Sequence, residues 1–192
     1  MDTINNVKEQ TIFQRLQMLM DYLDMSSEYL SVSPKNDIER IHITLSDAEN
    51  KEIFPIVVKV MFLNDLNKAL NKKMADGSPN TRDLLEFYID YPVIIDEENV
   101  LAINVLLMKF NSLLPIGAFC VNEKNNVYFR YVLVTEQRDV TPTVFVEIID
   151  MITFYLEVFG KEIISFYENK QSLEQSIENG LKNMTDIIEN IE

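Results

Sequence analysis

Residues 116–134, IGAFCVNEKNNVYFRYVLV, decide the fold of this chain. Two runs rich in β-branched and aromatic side chains flank the polar residues 122–126, a pattern that predicts two antiparallel strands joined by a short loop. Apolar helices are predicted on both sides of this hairpin, over residues 97–111 and from Thr141 to either Gly160 or about Tyr167. Because a hairpin between helices lacks the regular strand–helix alternation of a parallel sheet, the stretch favours an antiparallel α+β fold.

The residues before the hairpin predict a first helix and three more strands. Apolar side chains recur at helical spacing within residues 7–30, and Pro34 follows this helix. A strand is predicted at Arg40–Leu45, where apolar and polar residues alternate strictly. A second is predicted at residues 53–63, which are rich in β-branched residues, and a third at residues 85–91. The hairpin brings the predicted number of strands to five.

Two segments depart from this simple pattern. The polar residues 64–81 predict a long connector that contains one helical turn or none. Ser172 and Gln175 have the spacing of a capping box, which predicts a last amphipathic helix with an acidic outer face. The predicted order is α-β-β-β-α-β-β-α plus an additional C-terminal helix, with helices mainly on one face of the sheet. We therefore expect an α+β domain at residues 1–168 and the C-terminal helix at 169–192.

The composition argues against several kinds of site. The 192 residues carry a formal net charge of −14 and include one His and one Cys. Single His and Cys residues cannot build the common zinc sites or a disulfide framework. The negative charge repels nucleic-acid phosphates and anionic membrane surfaces. We therefore expect no metal, no cofactor, no nucleic-acid partner and no membrane partner.

The compartment is predicted from targeting signals and cysteine use. Residues 1–17 lack the basic start and apolar run of a signal peptide, and no stretch of the chain has the ~18 uncharged apolar residues of a membrane span. Cys120 lies in an apolar run, which predicts a buried, inert thiol. These features together predict a cytoplasmic protein.

Patterns of catalytic residues are missing from the sequence. It contains neither a glycine-rich phosphate-binding loop nor the GxSxG pattern of a nucleophilic serine. His42 is the single general-base candidate near neutral pH, and strand alternation places it on a polar face between Arg40 and Thr44, with no nucleophile nearby. We therefore expect no catalytic residue and a protein that is not an enzyme.

The predicted strands carry apolar residues on both faces. If helices cover only one face, the apolar residues of the other face form a surface with a charged rim, the composition of a protein-binding site. The alternative is that the C-terminal helix or a dimer partner covers this second face. The predicted protein-binding residues are Val57, Met61, Tyr88, Tyr128 and Val132.

A family resemblance rests on residues 111–134 and the helix that follows them. An Asn precedes a Gly-Ala-Phe strand, a polar turn follows, and an aromatic-Arg-aromatic strand leads to a helix that contains a Tyr. The residues concerned are Asn111, Gly117, Phe119, Arg130 and Tyr155. Over about residues 8–167, the chain resembles the YbjN-type family, which is similar in fold to the class I type III secretion chaperones.

This resemblance implies a non-enzymatic, often dimeric bacterial module. In the secretion chaperones, the sheet and the first helix hold an extended segment of a client protein, whereas the YbjN-like proteins have no defined biochemical role. The long 64–81 connector and the last helix depart from the family pattern. We therefore expect a chaperone- or adaptor-like protein that captures a partner segment at a strand edge or apolar groove.

Two alternatives remain open at this stage. The first is a structural or regulatory homodimer, in which the nearly all-apolar helix 97–111 and the fourth strand form the interface. The second is a small-ligand-binding or enzymatic domain with a cavity between sheet and helices. The predicted interface residues of the homodimer are Leu101, Val105, Met108 and Phe119.

Overall fold

A computed structural model of the chain describes residues 10–45, 56–70 and 82–189. The strands are β1 (Ser27–Leu30), β2 (Arg40–Leu45), β3 (Ile56–Phe62), β4 (Arg82–Ile94), β5 (Ala118–Val121) and β6 (Asn126–Glu136). The helices are α1 (Ile12–Tyr22), α2 (Leu63–Leu70), α3 (Val100–Asn111), α4 (Pro142–Tyr155), α5 (Lys161–Tyr167) and α6 (Leu173–Glu189). A 3-10 turn at Glu97–Asn99 precedes α3, and a π-helical turn at Leu156–Gly160 joins α4 to α5.

The six strands form one antiparallel sheet in the order β1-β2-β3-β4-β6-β5. One face of this sheet packs against α1, α3 and α4 in a continuous apolar core. Aromatic pairs join sheet and helices, among them Phe87 with Phe145, whose ring centroids lie 5.5 Å apart. The predicted α+β class with an antiparallel sheet is therefore confirmed.

The structure corrects the predicted element order in two places. The first helix ends at Tyr22 instead of continuing to residue 30, because Asp24 adopts a left-handed backbone with φ of 55° and Ser27–Leu30 pairs with β2. The connector contains the eight-residue helix α2, which is longer than the single turn predicted. Residues 71–81, the rest of that connector, lie outside the described residues.

Local sequence signals explain several helix boundaries. The Thr11 hydroxyl accepts a hydrogen bond from the Gln14 backbone N–H, and the Gln14 side chain accepts one from Thr11 N–H. The predicted capping box of Ser172 and Gln175 has the same two bonds at the start of α6. Asp96 precedes the 3-10 turn before α3. These reciprocal bonds satisfy backbone donors that the first helical turn leaves free.

The C-terminal helix α6 packs against α3 and α5, on the helical side of the sheet. Gly180 permits this close approach, since a Cβ there would lie 2.6 Å from a ring carbon of Phe110. Asn183 donates a hydrogen bond to the nearly buried Glu162 of α5. The alternative that α6 covers the second sheet face is therefore wrong.

None of the helices in the described ranges combines the length and apolarity that a bilayer crossing requires.

Candidate protein-binding face

The sheet face opposite the core, called the open face here, carries all five predicted binding residues. Strand alternation puts Val57 and Met61 of β3 there, with Tyr88 of β4 and Tyr128 and Val132 of β6. The register across the sheet places Glu86 directly opposite both Met61 and Val132. These pairings show that the five side chains share one continuous surface.

Helix α2 lies beside part of the open face and creates a groove of about 540 Å³ between itself and the sheet. Met61, Tyr88 and Tyr128 line this groove, whereas Val57 and Val132 lie on the same face outside its lining. The full lining is Lys59, Met61, Leu63, Leu66, Glu86, Tyr88, Asn122, Tyr128 and Arg130.

The sequence pattern of residues 64–81 did not predict that α2 forms one wall of the groove. Leu63 and Leu66 contribute this wall, and their i,i+3 spacing within a mostly polar segment is the signal that could have revealed it. Most of the surrounding residues are Asn, Asp and Lys, so the composition of the segment is that of a loop.

Two tyrosines form an aromatic platform in the groove. The rings of Tyr88 and Tyr128 stack with centroids 5.3 Å apart and planes 25° from parallel. The Lys59 ammonium lies 5.8 Å from the centre of the Tyr88 ring. Burial, together with a hydrogen bond to Asp90, raises the pKa of Tyr88 to about 12. The platform is therefore uncharged at neutral pH and offers an apolar ring surface beside polar hydroxyls.

The charged side chains that line the groove are paired across the strands. Arg130 Nε donates to Glu86, whose carboxylate is nearly buried. Lys59 Nζ lies 2.5 Å from an Asp90 carboxylate oxygen. Burial raises the pKa of Asp90, but hydrogen bonds from Lys59 and Tyr88 outweigh it and hold that pKa below its usual value. The groove therefore contains charges that already have partners, together with apolar walls.

The apolar surface continues beyond the groove along β4 and β6. Leu84 lies directly opposite Val134, which is 59% exposed, and Val132 follows on the same face. Cys120 of β5 lies opposite Tyr128 and is partly exposed, so the prediction of a buried thiol is wrong. The run Ile116–Val121 is apolar, but it forms an edge strand whose alternate side chains leave the core.

His42 lies on the open face near β1, away from the groove lining. Its Nε2 atom is buried without a hydrogen-bond partner among the described residues. Burial, with the positive charges of Arg40 and Lys59, lowers the pKa of His42. Lys59 and Glu28 are its directly opposite neighbours on the adjacent strands, and neither is a nucleophile. His42 is therefore not part of the groove.

Arg138 fixes the position of α2. Its Nη2 atom lies 2.5 Å from the Asp65 carboxylate of α2, and its Nε atom lies 3.4 Å from the buried Asp83 of β4. The guanidinium also lies 4.5 Å from the centre of the Phe62 ring. Arg138 reaches these groups from a tight turn in which both Gln137 and Arg138 have positive φ, 52° and 57°. This cluster ties the groove wall to the sheet.

The predicted dimer-interface residues separate into two locations. Leu101, Val105 and Met108 form one stripe on α3, where Leu101 is 78% and Met108 62% exposed. Phe119 is 2% exposed and packs on Tyr91 and other core rings, so its predicted place at an interface is wrong. It lies on the core-facing side of β5 because it is directly opposite Phe129, a core residue of β6.

No protein-family model and no curated protein sequence matches this chain. Within residues 10–45, 56–70 and 82–189, no group of three or more His, Cys, Asp or Glu side chains could hold a metal ion.

Proposed function

We propose that this protein is a non-enzymatic protein-binding module, chaperone- or adaptor-like, that holds a partner segment on the open face. The observation that carries the proposal is the stacked pair of Tyr88 and Tyr128 in a groove between α2 and the sheet. Tyrosine and arginine are the residue types that dominate binding energy at protein interfaces, and Arg130 adjoins the pair. The YbjN-type resemblance supports such a role in the bacterial cytoplasm through the fold that this family shares with the secretion chaperones, which hold a client segment.

The paired charges support a contact surface in preference to a catalytic site. A general acid or base needs a proton-transfer group that faces a substrate, whereas Lys59 and Arg130 are engaged by Asp90 and Glu86. An ion pair within an apolar surface can remain intact when a partner covers it, because neither charge loses its counterpart. An apolar partner segment therefore suits the groove better than a reactive small molecule does.

Crosslinking from the open face tests this proposal. Cys120 is the single cysteine and lies opposite Tyr128, so a benzophenone attached to its thiol samples the space above the open face. We expect the labelled protein to form one predominant crosslink in host extract, and an excess of unlabelled protein should suppress it. Tyr88→Ala should reduce the crosslink at least about tenfold, as expected for a hot-spot residue.

Tyr22→Ala provides the matched control, because Tyr22 is 84% exposed on α1 and lies off the open face. It should leave the crosslink unchanged. Equal crosslinking by wild type, Tyr88→Ala and Tyr22→Ala would reject the open face as the binding surface.

A homodimer is the second candidate, favoured by the exposed stripe on α3. Leu101, Val105 and Met108 follow i, i+4, i+7 spacing, which is the pattern of a helix face that packs against another helix. If this stripe is the interface, Leu101→Glu should convert a dimer to a monomer, while Val32→Glu, at an exposed valine elsewhere, should not. A wild-type protein that is monomeric by light scattering at micromolar concentration would reject this candidate.

A further inference from the structure

The two edge strands of the sheet differ in whether their backbone groups are available. In β1, Ser26 C=O accepts a hydrogen bond from Thr44 N–H at 2.8 Å, which sets the alternation of the β1–β2 ladder. Glu28 and Leu30 therefore direct their backbone groups toward β2. The N–H and C=O groups of Ser27 and Tyr29 point away from the sheet, and no described residue pairs with them. Within residues 10–45, 56–70 and 82–189, nothing closes the β1 edge.

The β5 edge is closed at its centre. Asn122 N–H donates to Asn126 C=O at 3.0 Å, and the same alternation then turns the backbone groups of Phe119 away from β6. The Asn111 side chain bonds both of them, since its amide donates to Phe119 C=O and its oxygen accepts from Phe119 N–H, each at 2.8 Å. Asn111 thus makes the two bonds that a neighbouring strand would make.

The charge of Glu28 favours some partner strands over others at the β1 edge. Antiparallel pairing of two copies of β1 about a twofold axis at Glu28 would place this carboxylate opposite its own copy, and like charges in that position are destabilising. Glu28 is exposed and forms no ion pair with a described residue, and Leu30 is the other open-face residue of β1. A cation opposite Glu28 and an apolar side chain opposite Leu30 would complement both.

We propose that the β1 edge accepts an extended segment of another protein in which an apolar residue is followed two positions later by Lys or Arg. This order applies to antiparallel addition, in which the partner chain reaches Leu30 before Glu28. The overall charge of −14 favours the approach of a basic segment at long range. This second surface rests on backbone groups of β1 and goes beyond the open-face proposal, which rests on side chains of β3, β4 and β6.

Synthetic peptides test the proposal on the full-length protein. The probe is acetyl-Thr-Thr-Val-Thr-Lys-Thr-Thr-amide, titrated while the backbone amide signals of residues 27–30 are followed by NMR. We expect saturable shifts at these residues and none at Phe119 or Val121. N-methylation of the Thr between Val and Lys removes the N–H that would bond Tyr29 and should weaken binding at least about tenfold. N-methylation of the Val, whose N–H points away from β1, should change binding less than about twofold.

A charge swap tests the selectivity. Replacing the peptide Lys by Glu should weaken binding about 1.5- to 5-fold, the size of a cross-strand charge pair. With the Glu28→Lys protein, the preference should reverse. Equal binding of the two peptides to both proteins would overturn the proposed selectivity for a basic segment.

A proline variant of the protein provides a second test of strand addition at β1. Ser27→Pro removes an N–H that the β1–β2 ladder does not use, so the fold should persist while the peptide loses affinity. Unchanged affinity for Ser27→Pro together with equal affinity of the two N-methylated peptides would overturn strand addition at β1. Tyr88→Ala should leave the peptide affinity unchanged, so this proposal and the open-face proposal can fail separately.

Discussion

The two faces of the sheet are formed by the same strands but differ in the residues that they carry. On the core face, the row Ile41, Val60, Phe87 and Tyr131 runs across four strands beneath the helices. One residue further along, the open face has the row Arg40, Met61, Glu86 and Val132. Alternation along each strand thus separates a predominantly apolar layer from a layer that mixes apolar side chains with ion pairs. The comparison teaches that paired charges let apolar residues remain on a face that the described helices cover only in part.

The largest effect is expected on the core face. Phe87 is fully buried and packs against Tyr131 and Phe145. Phe87→Ala removes these contacts and leaves a cavity, so we expect the free energy of unfolding to fall by about 3–5 kcal/mol. Urea denaturation measures this change. A loss below about 1 kcal/mol would mean that the helices do not hold this face in a rigid core.

Breaking the ion pair on the open face should have an intermediate effect. Arg130→Met leaves the nearly buried Glu86 carboxylate without its cation. We expect a loss of about 2 kcal/mol, less than for a fully buried pair because Arg130 is partly exposed.

The double variant Arg130→Met with Glu86→Gln tests the reason for that loss. It should recover at least about half of the stability, since no unpaired charge remains. An additive loss in the double variant would show that the pair does not stabilise the open face.

Tyr88→Ala should cost less stability than either change. The stacked ring contributes about 1 kcal/mol, because the side chain is only partly buried. The same variant should reduce partner crosslinking at least about tenfold, so its stability and its binding separate. Phe87→Ala should instead lower both stability and crosslinking. Comparing the two variants therefore distinguishes a residue of the open face from a residue of the core.

The smallest effect concerns pH. The pKa of His42 is lowered in the folded state, so below the unfolded value of about 6.5 the unfolded chain takes up a proton that the folded chain resists. Stability should therefore fall as the pH drops through about 6.5 toward the lower pKa of the folded state, by less than about 1 kcal/mol because solvent screens this partly exposed ring. His42→Gln should abolish the slope in this window. An increase in stability on acidification would contradict the sign of this effect.

Alternation in the sequence predicted much of the two-faced sheet. The strict pattern of Arg40–Leu45 set the faces of β2, and the same alternation assigned Tyr88 and Tyr128 to the face away from Phe87 and Phe129. A period of two residues needs no tertiary information, because successive side chains of any strand point to opposite sides. The positions of most open-face residues were therefore available from the sequence.

Other features depend on tertiary contacts that no local pattern records. Strand β1 has only four residues, too few to establish alternation, and its pairing with β2 defines it. The apolar stripe of α6 indicates that the helix packs, but the close approach of Gly180 to Phe110 determines where. Helix α3 is apolar almost all round, yet Leu101 is exposed because the core reaches only one side of the helix.

The tight turn that carries Arg138 reveals a conflict between local and global preference. Its two central residues, Gln137 and Arg138, both adopt the left-handed backbone in which Asn-Gly is the most favourable pair. Arg138→Gly would relax this turn, but it would also remove the guanidinium that links Asp65 of α2 to Asp83 of β4. Selection for thermal stability alone would favour Gly at position 138, because Gly adopts positive φ without strain. Selection for a groove of fixed width would retain Arg138, because it holds α2 in place. A library sorted separately for stability and for partner binding should therefore diverge at this one position.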